Sequence, residues 1–509
     1  MSRSDTYRSL GWGVGAGLAM ALALPGLHVW PLILAVPALF RRAVGERQGW
    51  AAFRVGWAAG LAQWLAAVPW IVIVLHRYGN LWLPVALLGW VLLSAILGLL
   101  WGLAAFATAR VAPGWRLWAI PLFLTAVEIM QGWPPFIFPW NPAAAAAAGT
   151  PWLMAPLPVT GAAGLSLLLF LAGGALDGLV STGLRRRGVA LGVVSVSVFG
   201  VAAVLAPQFR EAGPAVTAAA VQPNIPLKVR WDEVNLGVIE RRVWRLSGEA
   251  AAAAEWVVWP ESAIPRIVER DRDYRTEIEQ FARRHRVWMI VGSIGFGGAG
   301  EDYFNSLHVV SPGGLIPWRY DKVHLVPFGE HVPVVGALPF LAPLVREVGS
   351  FTPGRSTLPL PGPAGATGMA ICYEVAFPSL VAATTRQGAQ VLVTITNDGW
   401  YGDSAAPRQH LALAVLRAAE ARRYLVRAAN TGISALIDPK GRVLRRLGMD
   451  REGVITAEVR PGEGVTPAVA FGRSVRLLIV ATAFGAILLA AWRRPGRARV
   501  AAGRSSDAG

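Results

Sequence analysis

The chain has 509 residues, of which 54% are hydrophobic and only 16% charged, with a net charge of +17. Soluble domains carry roughly 25% charged residues, so this composition points away from an ordinary soluble protein and toward a membrane protein. The positive charge is not a nucleic-acid footprint, because all but three of the basic residues are arginines, many of them flanking apolar segments, and one cysteine, Cys372, excludes an intramolecular disulfide.

Apolar stretches near membrane length occupy 10–26, 28–40, 55–75, 81–109, 117–132, 159–180 and 188–207, and one more lies at 475–492. Crossing a bilayer takes about 20 apolar residues. The second stretch is short and contains Pro31 and Pro37, so it is the weakest of the eight expected spans. A cleaved leader is not expected, because no small-x-small site follows the first stretch and another apolar segment comes at once. Glu128 falls inside the fifth stretch, where an acid is expected to pair within the protein rather than act in catalysis.

Arginines fix the orientation. Arg3 and Arg8 precede the first stretch; Arg41, Arg42 and Arg47 follow the second; Arg110 and Arg116 join the fourth and fifth. Arg185, Arg186 and Arg187 join the sixth and seventh, and Arg493, Arg494, Arg497 and Arg499 follow the last. By the positive-inside rule both termini are cytoplasmic, and seven spans before it put the next segment on the outer side. The expected organisation is a seven-span helical domain at 1–207, an exported domain at 208–473, and a last span with a basic cytoplasmic tail at 474–509.

Within 208–473 the apolar runs shorten. Strands are expected at 216–222, 255–261, 287–294, 306–311, 368–374 and 390–398, and a hairpin at 433–447 turning on Asp438-Pro439-Lys440-Gly441. Helices are expected at 232–254, 272–285, 378–387 and 409–423, the last amphipathic, with Arg417, Glu420 and Arg423 off its apolar side. Alternating strands and helices predict a layered α/β domain. The alanine run 143–148 sits in a nearly uncharged outer loop at 133–158.

Three strand ends finish in polar residues. WPESAIP (259–265) supplies Glu261, YDKVHLVPFGE (320–330) supplies Lys322 and Glu330, and ICYE (371–374) supplies Cys372 and Glu374. A thiol attacks as thiolate, which an ammonium favours. A carboxylate can take the thiol proton and return it to a leaving group, and a lysine can hold the resulting oxyanion. Each residue also has a plainer reading: Cys372 as a small buried hydrophobe, Glu261 as a turn cap, Lys322 as a surface partner of Asp321. Lysine is rare here, however, occurring only at 228, 322 and 440. An amine at 322 therefore points to a task a guanidinium does not perform.

This ordered set resembles the Glu-Lys-Cys triad of the nitrilase superfamily. Flanked by seven helices and one, it resembles more narrowly the apolipoprotein N-acyltransferases of bacterial envelopes. VQPNIPLKVRW (221–231) with Trp231, YFNS (303–306) with Asn305, TNDGWYGDS (396–404), FPWN near Trp140, and Glu330, Tyr373 and Glu374 beside the triad carry the same likeness. The resemblance implies an αββα nitrilase-like sandwich joined to a polytopic helical membrane domain of about eight spans. It implies a bacterial inner-membrane enzyme with its catalytic domain on the periplasmic side. Its reaction would be a two-step acyl transfer, from a phospholipid donor to Cys372 and then to the α-amine of a diacylglyceryl-cysteine apolipoprotein. In that scheme Glu261 is the general base and Lys322 holds the oxyanion with a backbone N–H at or near Tyr373. Glu330 and Glu374 position Lys322 and the incoming amine. Neither metal nor other cofactor is implied, and no nucleic-acid partner.

An uncharged loop at 332–345 is expected to dip toward the lipids and gate the site. GFGGAG (295–300) satisfies GxGxxG after a strand but precedes no helix, so it is expected to be a turn rather than a dinucleotide site. His324 and His331 are expected to be structural or lining residues. Two alternatives compete: a membrane-anchored amidase with water as acceptor, and a transporter with an exported regulatory domain. The second would need charges converging within the spans, which are nearly absent.

Overall fold

A computed structural model describes residues 3–227, 233–297, 302–327, 329–330 and 351–492. Each of the eight apolar stretches coincides with helix. The first half contains α1 (Arg3–Ala23), a 3-10 turn (Trp30–Ala35) leading into α2 (Val36–Val44), α3 (Gly49–Ala67), α4 (Trp70–Ile73), α5 (Leu83–Arg110), α6 (Arg116–Gln131), α7 (Leu157–Val180) and α8 (Arg185–Val204). Four described helices are long and apolar enough to cross a membrane, at 83–110, 157–180, 185–204 and 467–490. A fifth span results if 49–67 and the segment 70–78, bent by 57° from it, count as one. The remaining stretches are less regular: α1 opens on Arg3, Asp5 and Arg8, Pro31 and Pro37 interrupt 30–44, and α6 has 16 residues.

The second half begins with β1 (Val216–Gln222), α9 (Leu236–Ala251), β2 (Trp256–Val258), α10 (Arg272–His285), β3 (Trp288–Gly297), β4 (Asp302–Ser311) and β5 (Gly314–Asp321). It continues with β6 (Leu360–Gly362), β7 (Gly365–Ile371), α11 (Pro378–Arg386), β8 (Val391–Thr396), α12 (Ala406–Ala421), β9 (Leu425–Ala429), β10 (Ser434–Ile437), β11 (Val443–Leu447), β12 (Gly453–Val459) and α13 (Pro467–Trp492). The strands form two six-stranded sheets, ordered β12-β1-β2-β3-β4-β5 and β11-β10-β9-β8-β7-β6. In each sheet three central strands run parallel (β1, β2, β3 and β7, β8, β9) and the flanking ones antiparallel. Valine, alanine and isoleucine side chains of both sheets fill the space between them. α9 and α10 cover one outer face, and α11 and α12 the other. The architecture is thus an αββα sandwich, as the resemblance implied.

One helix departs from expectation. α12 is not amphipathic with a wet face; every residue from Ala406 to Ala421 except Arg408 is buried. Its outer side packs on the membrane-half helices instead of water, so the core of that layer is continuous with the helical core. The alanine run is part of the same junction, a 3-10 turn at Ala143–Ala147 with all five residues buried. Glu128 pairs as expected, accepting from the Ala143 N–H at 2.8 Å. Of GFGGAG, Gly295–Gly297 form the end of β3, which pairs antiparallel with β4, and residues 298–301 lie outside those described.

Candidate active site

The parallel strands place the chemistry, because their carboxyl ends open on one edge of the sandwich. Glu261 follows β2, Cys372 follows β7 and Asn397 follows β8. Lys322 follows β5, and its N–H donates to the Asn305 carbonyl at 2.8 Å, extending the β4–β5 ladder by one residue. The chain turns sharply after Pro260, where Ser262 has φ +42°. Gly292 of β3 makes room for that turn: a Cβ there would lie 2.7 Å from the Ser262 nitrogen.

These side chains converge in a buried cluster. Lys322 is only 1% exposed. Its Nζ donates to Glu330 Oε1 at 2.8 Å and lies 3.6 Å from Glu261 Oε1. The Asn305 amide bridges the two acids, donating to Glu261 Oε1 at 2.7 Å and Glu330 Oε1 at 2.6 Å. The second oxygen of Glu261 accepts from the Asn397 N–H at 3.0 Å, and that of Glu330 from Val326 N–H at 2.9 Å. Burial by itself would strip the Lys322 proton, but Glu330, Glu261 and Cys372 outweigh it and hold the ammonium charged well above the usual lysine range.

Cys372 is 5% exposed and opens a 3-10 turn, Cys372–Ala376. Burial, reinforced by the Glu261 charge, pushes its thiol up to about 12, while Lys322 and a hydrogen bond from Thr396 pull the other way. At neutral pH the buried group is therefore a thiol, and it would need a base to react as thiolate. Its backbone has φ +54°, a region that non-glycine residues occupy at a cost. Something must hold it there. His410 of α12 does so, its Nε2 lying 2.9 Å from the Cys372 carbonyl oxygen. Behind it, His410 Nδ1 contacts Asp398 Oδ1 at 2.9 Å and the Arg427 Nη2 at 3.1 Å, and Arg427 Nη2 donates to Asp398 Oδ2 at 2.7 Å. Burial and the Arg427 charge lower the His410 pKa. Nε2–H donates to the Cys372 carbonyl, while Asp398 and Arg427 fix the ring from its Nδ1 side.

The supporting residues divide. Glu330 accepts from Lys322, and Asn305 donates to both Glu261 and Glu330. Glu374 is fully buried and makes no hydrogen bond to Lys322 among the described residues. Its Oε1 accepts from Val323 and His324 N–H at 2.6 and 3.0 Å, and its Oε2 from the Tyr320 hydroxyl and Ile371 N–H at 2.9 and 2.7 Å. Those four donors occupy the carboxylate, so it clamps the segment after β5 to the strand before Cys372 instead of facing an incoming amine. Burial pushes it up to about 7 against those N–H groups. Tyr373 donates its hydroxyl to the Ile137 carbonyl at 2.9 Å and stacks on Trp140. His324 stacks on Phe377 with ring centroids 4.1 Å apart. Trp231, His331 and the 332–345 loop lie outside the described residues.

Sequence reasoning missed His410, Asp398 and Arg427 as parts of the site. Asp398 lay in the noticed TNDGWYGDS block without a role, and a histidine inside a helix taken as half-wet carried no signal. Gln409, beside His410, ties in the helical half: its Oε1 accepts from the Trp70 and Trp140 indoles at 3.1 and 2.8 Å, and its Nε2 donates to the Ala67 carbonyl at 2.9 Å. No group of three or more metal-ligating side chains occurs among the described residues.

Comparisons with known proteins bear on both halves. The carbon-nitrogen hydrolase family model matches residues 217–465, and the model for the apolipoprotein N-acyltransferase N-terminal domain matches 16–175. An apolipoprotein N-acyltransferase of Geobacter metallireducens is 35% identical over 473 residues, covering 88% of this chain and 89% of that protein. One from Azotobacter vinelandii is 32% identical over 479 residues, covering 89% and 90%. Among solved structures, Saccharomyces cerevisiae Nit3, of the nitrilase superfamily, overlaps 53% of this chain and 96% of its own at 18% identity, with a TM-score of 0.38. With both domain models in tandem and curated relatives above 30% identity across most of its length, the chain belongs to the apolipoprotein N-acyltransferase family and is an N-acyltransferase enzyme.

Proposed function

We propose that this protein transfers an acyl chain from a membrane phospholipid to the N-terminal α-amine of a diacylglyceryl-cysteine apolipoprotein, with Cys372, Glu261 and Lys322 as the catalytic triad. The observation that carries the reading is the buried Lys322 ammonium held between Glu330 and Glu261, at 2.8 and 3.6 Å, beside a buried protonated thiol. Glu261 takes the thiol proton as Sγ attacks the ester carbonyl. The tetrahedral oxygen becomes negative and Lys322, with a nearby N–H, holds it. Collapse breaks the ester bond, and the Glu261 proton passes to the departing glyceryl oxygen, releasing a lysophospholipid and leaving a thioester. The lipoprotein amine then attacks that thioester, giving its proton to Glu261, which returns it to the leaving sulfur. Asn305 and Glu330 act as positioning residues for Glu261 and Lys322. Trp231 is assigned to substrate binding.

The placement follows from the substrates. Withdrawing an acyl chain from the bilayer costs about 0.8 kcal/mol per CH₂, and a triad set against membrane helices avoids most of that. We place the sandwich (208–473) on the periplasmic side of the bacterial inner membrane, between about seven spans in 1–207 and one in 474–509, with both termini cytoplasmic. The arginine distribution supports this orientation.

Intact-mass measurement after exposure to phospholipid tests the reaction. The expected result is one acyl-sized addition on the wild type and none on Cys372→Ala, with the adduct stable in buffer and discharged by a diacylglyceryl-cysteine peptide. An adduct that decays in water as fast as with the peptide would instead mark an amidase.

A further inference from the structure

A cavity of about 540 Å³ lies where α6, α7, α11, α12 and α13 meet. None of Cys372, Lys322 or Glu261 lines it; the turn after the nucleophile contributes only Ala376, followed by Phe377. Its walls are largely apolar, with alanine the commonest residue, yet four arginines reach it, Arg386, Arg417, Arg473 and Arg476, against two acids, Glu128 and Glu420.

Both acids already have partners. Glu128 Oε1 accepts from Ala143 N–H, and Glu420 pairs with Arg417 while capping the Ala162 N–H exposed by the break in α7 at Gly161, where φ is +64°. Arg386 donates to the Val469 carbonyl at 2.7 Å. Arg417 is 1% exposed, and its Nη1 has no hydrogen-bond partner among the described residues. Neither Arg473 nor Arg476 forms an ion pair among them. Guanidinium groups gathered around an apolar cavity, one of them buried with an idle N–H, leave positive charge that only an anion can balance. A phosphate fits the planar N–H fork of arginine.

Depth and wall chemistry select the kind of phosphate. Arg473 and Arg476 lie in the first three turns of α13, at its sandwich end. The helix runs another 16 residues to Trp492, about 24 Å at 1.5 Å per residue, close to the thickness of the hydrocarbon core. The arginines therefore stand at headgroup level, with apolar wall and exposed helix surface below them for acyl chains.

We propose that this cavity binds an anionic phospholipid other than the acyl donor, its phosphate on Arg417, Arg473 and Arg476 and its chains along α13. The lipid joins α11 and α12 of the sandwich to α6, α7 and α13 of the membrane half.

The test is native mass spectrometry and thermal unfolding of the full chain in detergent, titrated with phosphatidylglycerol, phosphatidylcholine or inorganic phosphate. The wild type and Cys372→Ala should each retain one phosphatidylglycerol and gain thermal stability from it. The double variant Arg473→Gln/Arg476→Gln should bind it at least tenfold more weakly. Ala163→Phe, which fills the cavity and leaves every arginine in place, should lose it while unfolding at the wild-type temperature without lipid. Loss of Cys372 acylation by phospholipid in Ala163→Phe would make this the donor site and overturn the proposal. So would equal binding of phosphatidylcholine, equal stabilisation by inorganic phosphate, or undiminished binding in both arginine and cavity variants.

Discussion

Replacing Glu261 by glutamine should make Cys372 a stronger acid and the enzyme a weaker catalyst. Burial holds the thiol near 12, with the Glu261 charge the next contribution. At pH 7 the thiolate is then about 10⁵-fold disfavoured, about 7 kcal/mol at roughly 1.4 kcal/mol per pH unit. A base that accepts the proton as the S–C bond forms removes much of that barrier, and such catalysis is typically worth about 10²- to 10⁴-fold. Glu261→Gln should therefore slow thioester formation by about 10²- to 10⁴-fold. The same change deletes a negative charge beside the sulfur while Lys322 remains, so the midpoint of thiol ionisation should fall. The glutamine has one acceptor for two donors, the Asn305 amide and the Asn397 N–H, so folding stability should drop by about 1–3 kcal/mol. Intact mass after phospholipid gives the first quantity. The pH midpoint of alkylation by iodoacetamide gives the second. Slower acylation with an unmoved or raised midpoint would mean that Glu261 does not act on this thiol, and would refute the reasoning.

Two further outcomes follow from the buried polar groups. Gln409→Leu strands the Trp70 and Trp140 indole N–H groups and the Ala67 carbonyl; at about 1–3 kcal/mol for each unsatisfied group the variant should lose several kcal/mol in thermal unfolding. Asp398 is buried, which would raise its pKa, but Arg427 and His410 bring it down to about 2 from 3.8. A depressed folded-state value stabilises the protein above the unfolded value, so about 2 kcal/mol should disappear as pH falls from about 4 to about 2, and Asp398→Asn should flatten that window.

Much of this was legible because the relevant signals are local. The strand at 216–222 and the helix at 272–285 coincide with β1 and α10, since short apolar runs and charged periodic stretches alternate there. The acid, amine and thiol were visible as polar residues ending apolar runs. The overlooked strands have reasons: β5 carries Pro317, β6 has only three residues, β9 carries Arg427 in its middle, and β12 is a half-exposed edge. α12 misled for a different reason. Arg417, Glu420 and Arg423 suggested a wet face, and only a neighbouring layer of helices, invisible to a periodicity argument, makes that face interior. Hence His410 escaped notice: its role depends on burial that no sequence window encodes. Glu374 was assigned by analogy to the triad, whereas its environment is four donors that tie backbone to backbone.

These corrections meet at one point, the backbone of Cys372. A positive φ at a non-glycine residue costs of order 1–3 kcal/mol and persists only where the surroundings over-determine it. At Cys372 three attachments do this. Glu374, two residues on, accepts from Ile371 N–H and reaches across to 323–324. Tyr373 is pinned to Ile137 and Trp140 of the membrane half. The Cys372 carbonyl is held by His410, whose neighbour Gln409 grips Trp70 and Trp140. Two of the three run through membrane-half residues or the helix packed against them. The helical half is thus part of the device that aims the thiol, and a sandwich cut free of it would keep its sheets while losing the constraint that keeps Cys372 in a conformation it would otherwise leave.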